Sequence, residues 1–117
     1  MILRIEDCRM NWYRDLYVGK TFCRKKKRIK RLVEAGEQVP MLFLILLRRD
    51  QETNQLEIIP QLAYRANASD SDLVVGLASG MREAQEIMLE LTDTVYRRTG
   101  TADLKRFILC RQDGEKV

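Results

Sequence analysis

The sequence contains no histidine, which excludes a Ser-His-Asp triad, a Cys-His nucleophile and a His-containing zinc site. Its three cysteines, Cys8, Cys23 and Cys110, form no CxxC pair. An odd, scattered set of this kind is typical of reduced thiols in the cytoplasm. The longest apolar run covers residues 39–47, whereas a membrane-spanning helix needs about 20 residues. We therefore expect a cytoplasmic protein with no membrane partner.

The size and composition predict one small domain. The chain has 117 residues, of which 45% are hydrophobic and 32% charged, the balance of an ordinary globular domain. Acidic residues stand where the apolar segment of a signal peptide would lie, so secretion is not expected. No complete catalytic, cofactor or metal site is visible. We expect a non-enzymatic protein whose single domain spans residues 1–117, with a frayed polar tail over 111–117.

Positive charge is concentrated in one short segment. The formal net charge is +4, from 21 basic and 17 acidic residues. No acid interrupts the eight basic residues between positions 20 and 31, which are Lys20, Arg24, Lys25, Lys26, Lys27, Arg28, Lys30 and Arg31. Without these eight, the formal charge would be −4. Such an asymmetry indicates an anionic partner.

The same segment has the pattern of an amphipathic helix. Residues 20–35 contain neither proline nor glycine, and Gly36 supplies a stop signal. At 100° per residue an apolar stripe forms on one side, and four cations fall opposite it, namely Arg24, Lys27, Arg28 and Arg31. With Lys20, these are the candidate residues for binding nucleic acid or another anionic partner. Three like-charged pairs stand at i and i+4, namely Lys20 with Arg24, Arg24 with Arg28 and Lys27 with Arg31. Each would destabilise an isolated helix by a few tenths of a kcal/mol, which favours a compensating partner.

The remaining pattern predicts an α/β fold. Alternation and short apolar runs predict strands over residues 1–5, 11–19, 39–48 and 73–78. A strong apolar stripe predicts a helix over residues 80–99. We favour a short irregular helix over 56–65, and residues 101–110 fit a strand or a short helix. The fold class is one small, mainly parallel or mixed sheet packed by two main helices, at about 20–35 and 80–99. A helical crossover between the strands at 39–48 and 73–78 would make a parallel βαβ unit.

Three other groups of side chains have chemical potential. The acids of the long helix, Glu83, Glu86, Glu90 and Asp93, share one face. They fit a solvated surface, paired carboxylates for acid/base chemistry or metal binding in a small enzyme, or the complement of the basic helix in a second copy. The cysteines lack a histidine base and fit buried or incidental thiols. Among the aromatic residues, alternation puts Tyr13 and Tyr17 on one face and Trp12 on the other, for packing or for stacking on bases.

Segments throughout the chain resemble a group of small proteins that are carried on mobile elements of low-GC Gram-positive gut bacteria. The matching pieces are LYVGK (16–20), KKKRIKRLVEAGE (25–37), QLEIIP (55–60), DLVVGLASGMREAQEIM (72–88) and VYRRTGTADLKRFIL (95–109). The resemblance implies a small cytoplasmic α/β domain without an assigned enzymatic activity. Small mobile-element proteins include inhibitors of host defence such as anti-CRISPR proteins.

Two functional hypotheses follow. In the first, the chain is a non-enzymatic binding or inhibitor protein whose basic helix contacts nucleic acid, or a nucleoprotein complex such as a CRISPR nuclease. In the second, it is a homo-oligomeric interaction module in which the basic helix meets the acidic face of another copy.

Overall fold

The computed structural model describes residues 11–49, 56–67 and 72–112. Over these ranges the chain forms four strands, β1 (Trp12–Val18), β2 (Leu42–Arg48), β3 (Glu57–Pro60) and β4 (Asp72–Ser79). It also forms four α-helices, α1 (Lys26–Glu34), α2 (Gln61–Asn67), α3 (Gly80–Thr99) and α4 (Leu104–Gln112). A 3₁₀ turn (Cys23–Lys25) precedes α1. The predicted strand at residues 1–5 lies outside the described residues.

The four strands make one mixed sheet in the order β1-β4-β2-β3. β1 pairs with β4 in parallel, and β2 pairs with both β4 and β3 in antiparallel fashion. Consequently β1, β4 and β3 run in one direction and β2 runs in the other. The predicted α/β class with a small mixed sheet is confirmed.

The predicted parallel βαβ unit between the strands at 39–48 and 73–78 is wrong, because β2 and β4 are antiparallel neighbours. The reason is β3, which sequence analysis placed inside a short helix at 56–65. β3 first reverses the chain in a hairpin with β2, and α2 begins only after Pro60. The crossover helix therefore joins the parallel strands β3 and β4, and β2 lies between them.

Helices cover both faces of the sheet. Because side chains alternate along β2, Leu44 and Leu46 point to the layer of α1 and α2, while Ile45 and Leu47 point to the layer of α3 and α4. These four side chains of β2 are all fully buried, as expected for a continuous apolar run in a strand that is covered on both faces. The alternation predicted for β1 is also found, with Tyr13 and Tyr17 beside α3 and α4 and Trp12 beside α1.

The basic segment is less regular than a single helix over 20–35. Residues after β1 form a turn, and the 3₁₀ turn then leads into α1 without a side-chain N-cap. The helix ends as predicted at Gly36, whose φ is +81°. Its N–H donates to the Val33 carbonyl and the N–H of Glu37 donates to the Leu32 carbonyl, which together make a Schellman motif.

The C-terminal part of the chain is helical. The helix predicted over 80–99 is confirmed as α3. Residues 104–112 form α4, so the helical alternative for 101–110 is the correct one. The first two residues of the predicted frayed tail, Arg111 and Gln112, belong to this helix, and residues 113–117 lie outside the described ranges. Gln112 accepts a hydrogen bond from the Arg14 N–H (2.7 Å) and donates to the Trp12 carbonyl (3.2 Å), so it covers the outer edge of β1.

Candidate functional site

The five predicted binding residues form one continuous exposed surface, called the basic face below. Lys20 lies in the turn after β1, and Arg24 lies in the 3₁₀ turn. Lys27, Arg28 and Arg31 lie on α1. All five side chains are exposed. Since Lys20 is not helical, the predicted helical repulsion between Lys20 and Arg24 does not apply.

No acid neutralises these cations within the part of the chain that the structure describes. The ion pairs there involve arginines elsewhere, as Arg48–Glu57, Arg48–Asp72, Arg97–Asp93 and Arg111–Asp15. Lys27 and Arg31 stand at i and i+4 on α1, a spacing at which like charges repel. The described part of the chain therefore does not neutralise the positive charge of the basic face.

Glu34, the acidic residue of α1, binds Trp12 of β1. The Glu34 carboxylate accepts a hydrogen bond from the indole N–H of Trp12 at 2.6 Å. The Trp12 ring also lies below the Lys30 ammonium, 5.3 Å from the ring centroid. A cation over an indole ring is attracted by its quadrupole. Trp12 thus holds two side chains of α1 and ties this helix to the edge strand β1.

Apolar packing holds the other side of α1. Phe22, Ile29 and Val33 are buried in the same cluster as Leu44 and Leu46 of the sheet. Burying side chains of this size contributes about 1.5–3 kcal/mol each. The apolar stripe predicted from the sequence is confirmed, and it fixes which side of the helix faces solvent.

Polar contacts fix both ends of the basic segment. At its start, the Glu83 carboxylate accepts hydrogen bonds from the Thr21 hydroxyl (3.0 Å) and the Ser79 N–H (2.7 Å). After its end, the buried Gln61 amide accepts from the Val39 N–H and donates to the Glu37 carbonyl, both at 2.8 Å. These contacts hold the basic face in one orientation relative to the sheet.

A shallow cavity of about 520 Å³ adjoins the basic face. Its lining consists of Arg28, Arg31, Leu32, Ala35 and Glu37. Two arginines of the basic face therefore reach a concave surface, where planar guanidinium groups can contact phosphate oxygens in a bidentate way.

The four acidic residues of the cluster on α3 differ in their surroundings. Glu83 is occupied by its two hydrogen bonds, and Asp93 pairs with Arg97 at 3.0 Å. Glu86 and Glu90 are exposed. In the described ranges, no three acidic or cysteine side chains come together as a metal site requires.

The two cysteines in the described ranges differ in exposure. Cys23 is exposed and donates to the Lys20 carbonyl, whereas Cys110 is half-buried and lines a second cavity of about 540 Å³ at the α3–α4 turn. Cys8 lies outside the described residues.

Burial and the nearby Asp15 carboxylate raise the pKa of Tyr13 to about 12. Burial also raises the pKa of Tyr17, so neither phenol is activated at neutral pH.

Comparison with known proteins supplies no relative. No protein-family model, no curated protein and no solved structure matches the chain. The resemblance to mobile-element proteins stays a prediction. In addition, none of the helices in the described ranges is long and apolar enough to cross a membrane.

Sequence analysis found the cations but missed the residues that position them. Trp12 and Glu34 are 22 positions apart, and Thr21 and Glu83 are 62 apart. Contacts at such separations leave no local periodicity in the sequence. The one usable sign was a lone tryptophan in a strand next to a basic helix.

Proposed function

We propose that the chain is a non-enzymatic binding protein whose basic face contacts the phosphates of nucleic acid, either free or within a nucleoprotein complex. The observation that carries this proposal is the unpaired state of the basic face. Among the described residues, none of its five cations has an acidic partner, although acids elsewhere in the fold do form ion pairs.

The charge distribution supports a polyanionic partner. Each phosphate that a lysine or arginine neutralises releases condensed counterions, and this release provides most of the affinity for nucleic acid. The backbone that carries the five cations is held by contacts of Trp12, Glu83 and Gln61, so it needs little reorganisation before binding. Preorganisation of this kind reduces the entropic cost of association.

A charge-reversal experiment tests the proposal. We expect Lys27→Glu/Arg31→Glu to abolish binding to labelled nucleic acid in fluorescence anisotropy. This variant should fold, because both side chains are exposed and the new carboxylates stand three positions from Lys30 and Arg28, a spacing at which opposite charges attract. The matched control is Arg97→Glu/Arg106→Glu, which changes exposed cations on α3 and α4. Both variants lower the formal net charge from +4 to zero.

The control distinguishes a surface from a net charge. If the basic face is the binding surface, the control keeps most of the affinity. Equal losses in both variants would show that binding depends on total charge, and wild-type affinity in the α1 variant would contradict the proposal.

The resemblance noted in the sequence extends the proposal to inhibition of a nucleic-acid-guided nuclease. In a cleavage assay with such a nuclease, the wild-type chain should slow cleavage and Lys27→Glu/Arg31→Glu should not. Undiminished cleavage with saturating wild-type protein would reject an inhibitory role against that nuclease, while leaving nucleic-acid binding as it stands.

A further inference from the structure

The aromatic residues bear on which form of nucleic acid fits the basic face. Single strands are bound largely by stacking of bases on aromatic side chains, worth about 1–3 kcal/mol per base. The chain has one tryptophan, four tyrosines and three phenylalanines, and all eight lie in the described ranges. The structure therefore shows the surroundings of every aromatic ring in the sequence.

Six of the eight rings are packed inside the fold. Four of them are buried, as Tyr13, Phe22, Tyr64 and Phe107. Tyr17 and Phe43 are half-buried against the cluster beneath α3 and α4, on the sheet face opposite α1. None of these six rings presents a free face to a ligand on the basic face.

Trp12 contacts α1 directly, and these contacts occupy its ring and its indole N–H. Its indole N–H binds Glu34 at 2.6 Å, and the Lys30 ammonium lies over its ring. It also packs against the cluster beneath α1. Stacking on a base would require Lys30 to leave the ring, with the loss of their cation–π attraction.

Tyr96 has the most exposed ring, at 62%. It belongs to α3, which covers the sheet face opposite α1. A single nucleic-acid strand that follows the basic face would therefore not contact Tyr96. The basic face thus combines five exposed cations with no available stacking platform.

We infer that the partner is double-stranded nucleic acid, contacted through its phosphates. This inference rests on the proposed function and adds the class of nucleic acid to it. Duplex DNA carries one charge per about 1.7 Å of helix axis, a denser and more regular array than a single strand offers. With a rise of 1.5 Å per residue on α1, Lys27 to Arg31 span about 6 Å. Lys20 and Arg24 extend the basic face beyond the start of this helix, so its cations can reach several phosphates at once.

The size of the expected preference follows from counterion release. The salt exponent is about 0.9 per contact for B-DNA and about 0.7 for single strands. If the duplex and the single strand bind equally at 1 M salt, five contacts make the affinity for the duplex about tenfold higher at 0.1 M salt. Stacking would reverse this order.

The test compares four labelled probes in anisotropy titrations: mixed-sequence duplex DNA, an A·T-rich duplex, duplex RNA and single-stranded oligothymidine. We expect the duplexes to bind about tenfold more tightly than the single strand, and the two DNA duplexes to bind similarly. The arms with duplex DNA and duplex RNA identify which source of phosphates is preferred. The emission of Trp12, the sole tryptophan, should change little on binding.

Other outcomes would overturn the inference. Tighter binding of oligothymidine, with Trp12 emission quenched, would show that a base displaces Lys30 and stacks on the indole. That result would leave the proposed function intact, because binding would still require the basic face. Binding of none of the four probes would overturn the inference and, with it, the proposed contact with free nucleic acid.

Discussion

Because Glu83 packs against Gly19, we expect Gly19→Ala to destabilise the wild-type chain and to stabilise a chain that lacks the Glu83 carboxylate. Gly19 is buried where β1 leads into the basic segment, and its N–H continues the ladder to the Leu77 carbonyl at 2.9 Å. A methyl group there would overlap Glu83, to which its three nearest atoms all belong. Gly19→Ala therefore forces the carboxylate away from the Thr21 hydroxyl and the Ser79 N–H.

The magnitude follows from those two hydrogen bonds. Bonds to a charged group contribute about 1.5–3 kcal/mol, and the one to Thr21 is exposed and belongs at the low end. We expect Gly19→Ala to lower the free energy of unfolding by about 1.5–3 kcal/mol. For a chain of this length, about 4 °C of Tm corresponds to 1 kcal/mol, so Tm should fall by about 6–12 °C.

The same substitution should stabilise a chain that already lacks the carboxylate. Gly19 does not have a positive φ, so alanine is compatible with its backbone. In a Glu83→Ala background, Gly19→Ala should raise stability by about 0.4–1 kcal/mol, because it restricts the unfolded chain. Thermal and urea unfolding followed by circular dichroism on all four members of the cycle gives the coupling. An equal effect of Gly19→Ala in both backgrounds would refute this reasoning.

Three further predictions concern the scaffold and the alternative function. Trp12→Phe leaves the Glu34 carboxylate without its indole donor and should lower the free energy of unfolding in urea by about 1–3 kcal/mol. Glu34→Gln keeps an acceptor and should cost less. The reverse order would contradict the hydrogen bond between Trp12 and Glu34. The folded-state pKa of Tyr13, about 12, exceeds its ordinary value of 10.0. Its phenol therefore stabilises the fold fully below pH 10, and up to about 3 kcal/mol is lost as pH rises towards 12. Unfolding of Tyr13→Phe should lack this decline, and an identical pH profile would reject the prediction. Self-association through α1 and the acids Glu86 and Glu90 would join opposite faces of the sheet, so it should give chains or rings rather than a two-fold dimer; light scattering at low salt that shows a monomer would exclude it.

Sequence periodicity was sufficient where one face or both faces of an element are buried. The continuous apolar run of β2 correctly indicated burial on both sides, and the apolar stripe of α1 correctly indicated which cations face solvent. Alternation in β1 also separated Trp12 from Tyr13 and Tyr17. In each case the pattern repeats over several residues and reports directly on burial.

The short edge strand β3 was not recognisable. It has four residues, ends at Pro60 and leaves half of its side chains exposed, so it lacks both alternation and a long apolar run. Missing it also reversed the direction assigned to β4 relative to β2. Strand direction depends on the number of intervening chain reversals, and one unnoticed hairpin changes it.

The candidate site was predictable in its charges but not in its supports. Exposure of Lys27 and Arg31 follows from the helical period. The anchoring by Glu83 and Gln61 does not, because each connects segments that the sheet brings together from distant parts of the chain. Those anchors are what make the basic face a defined surface rather than a mobile charged segment.

The salt dependence of duplex binding tests the central claim most directly. If all five cations of the basic face contact phosphates, a plot of log K against log salt should have a slope of about −4.5 for B-DNA. Lys27→Gln/Arg31→Gln removes two contacts and should reduce the slope to about −2.7. A slope near zero, or one that is unchanged in this variant, would contradict phosphate binding by the basic face.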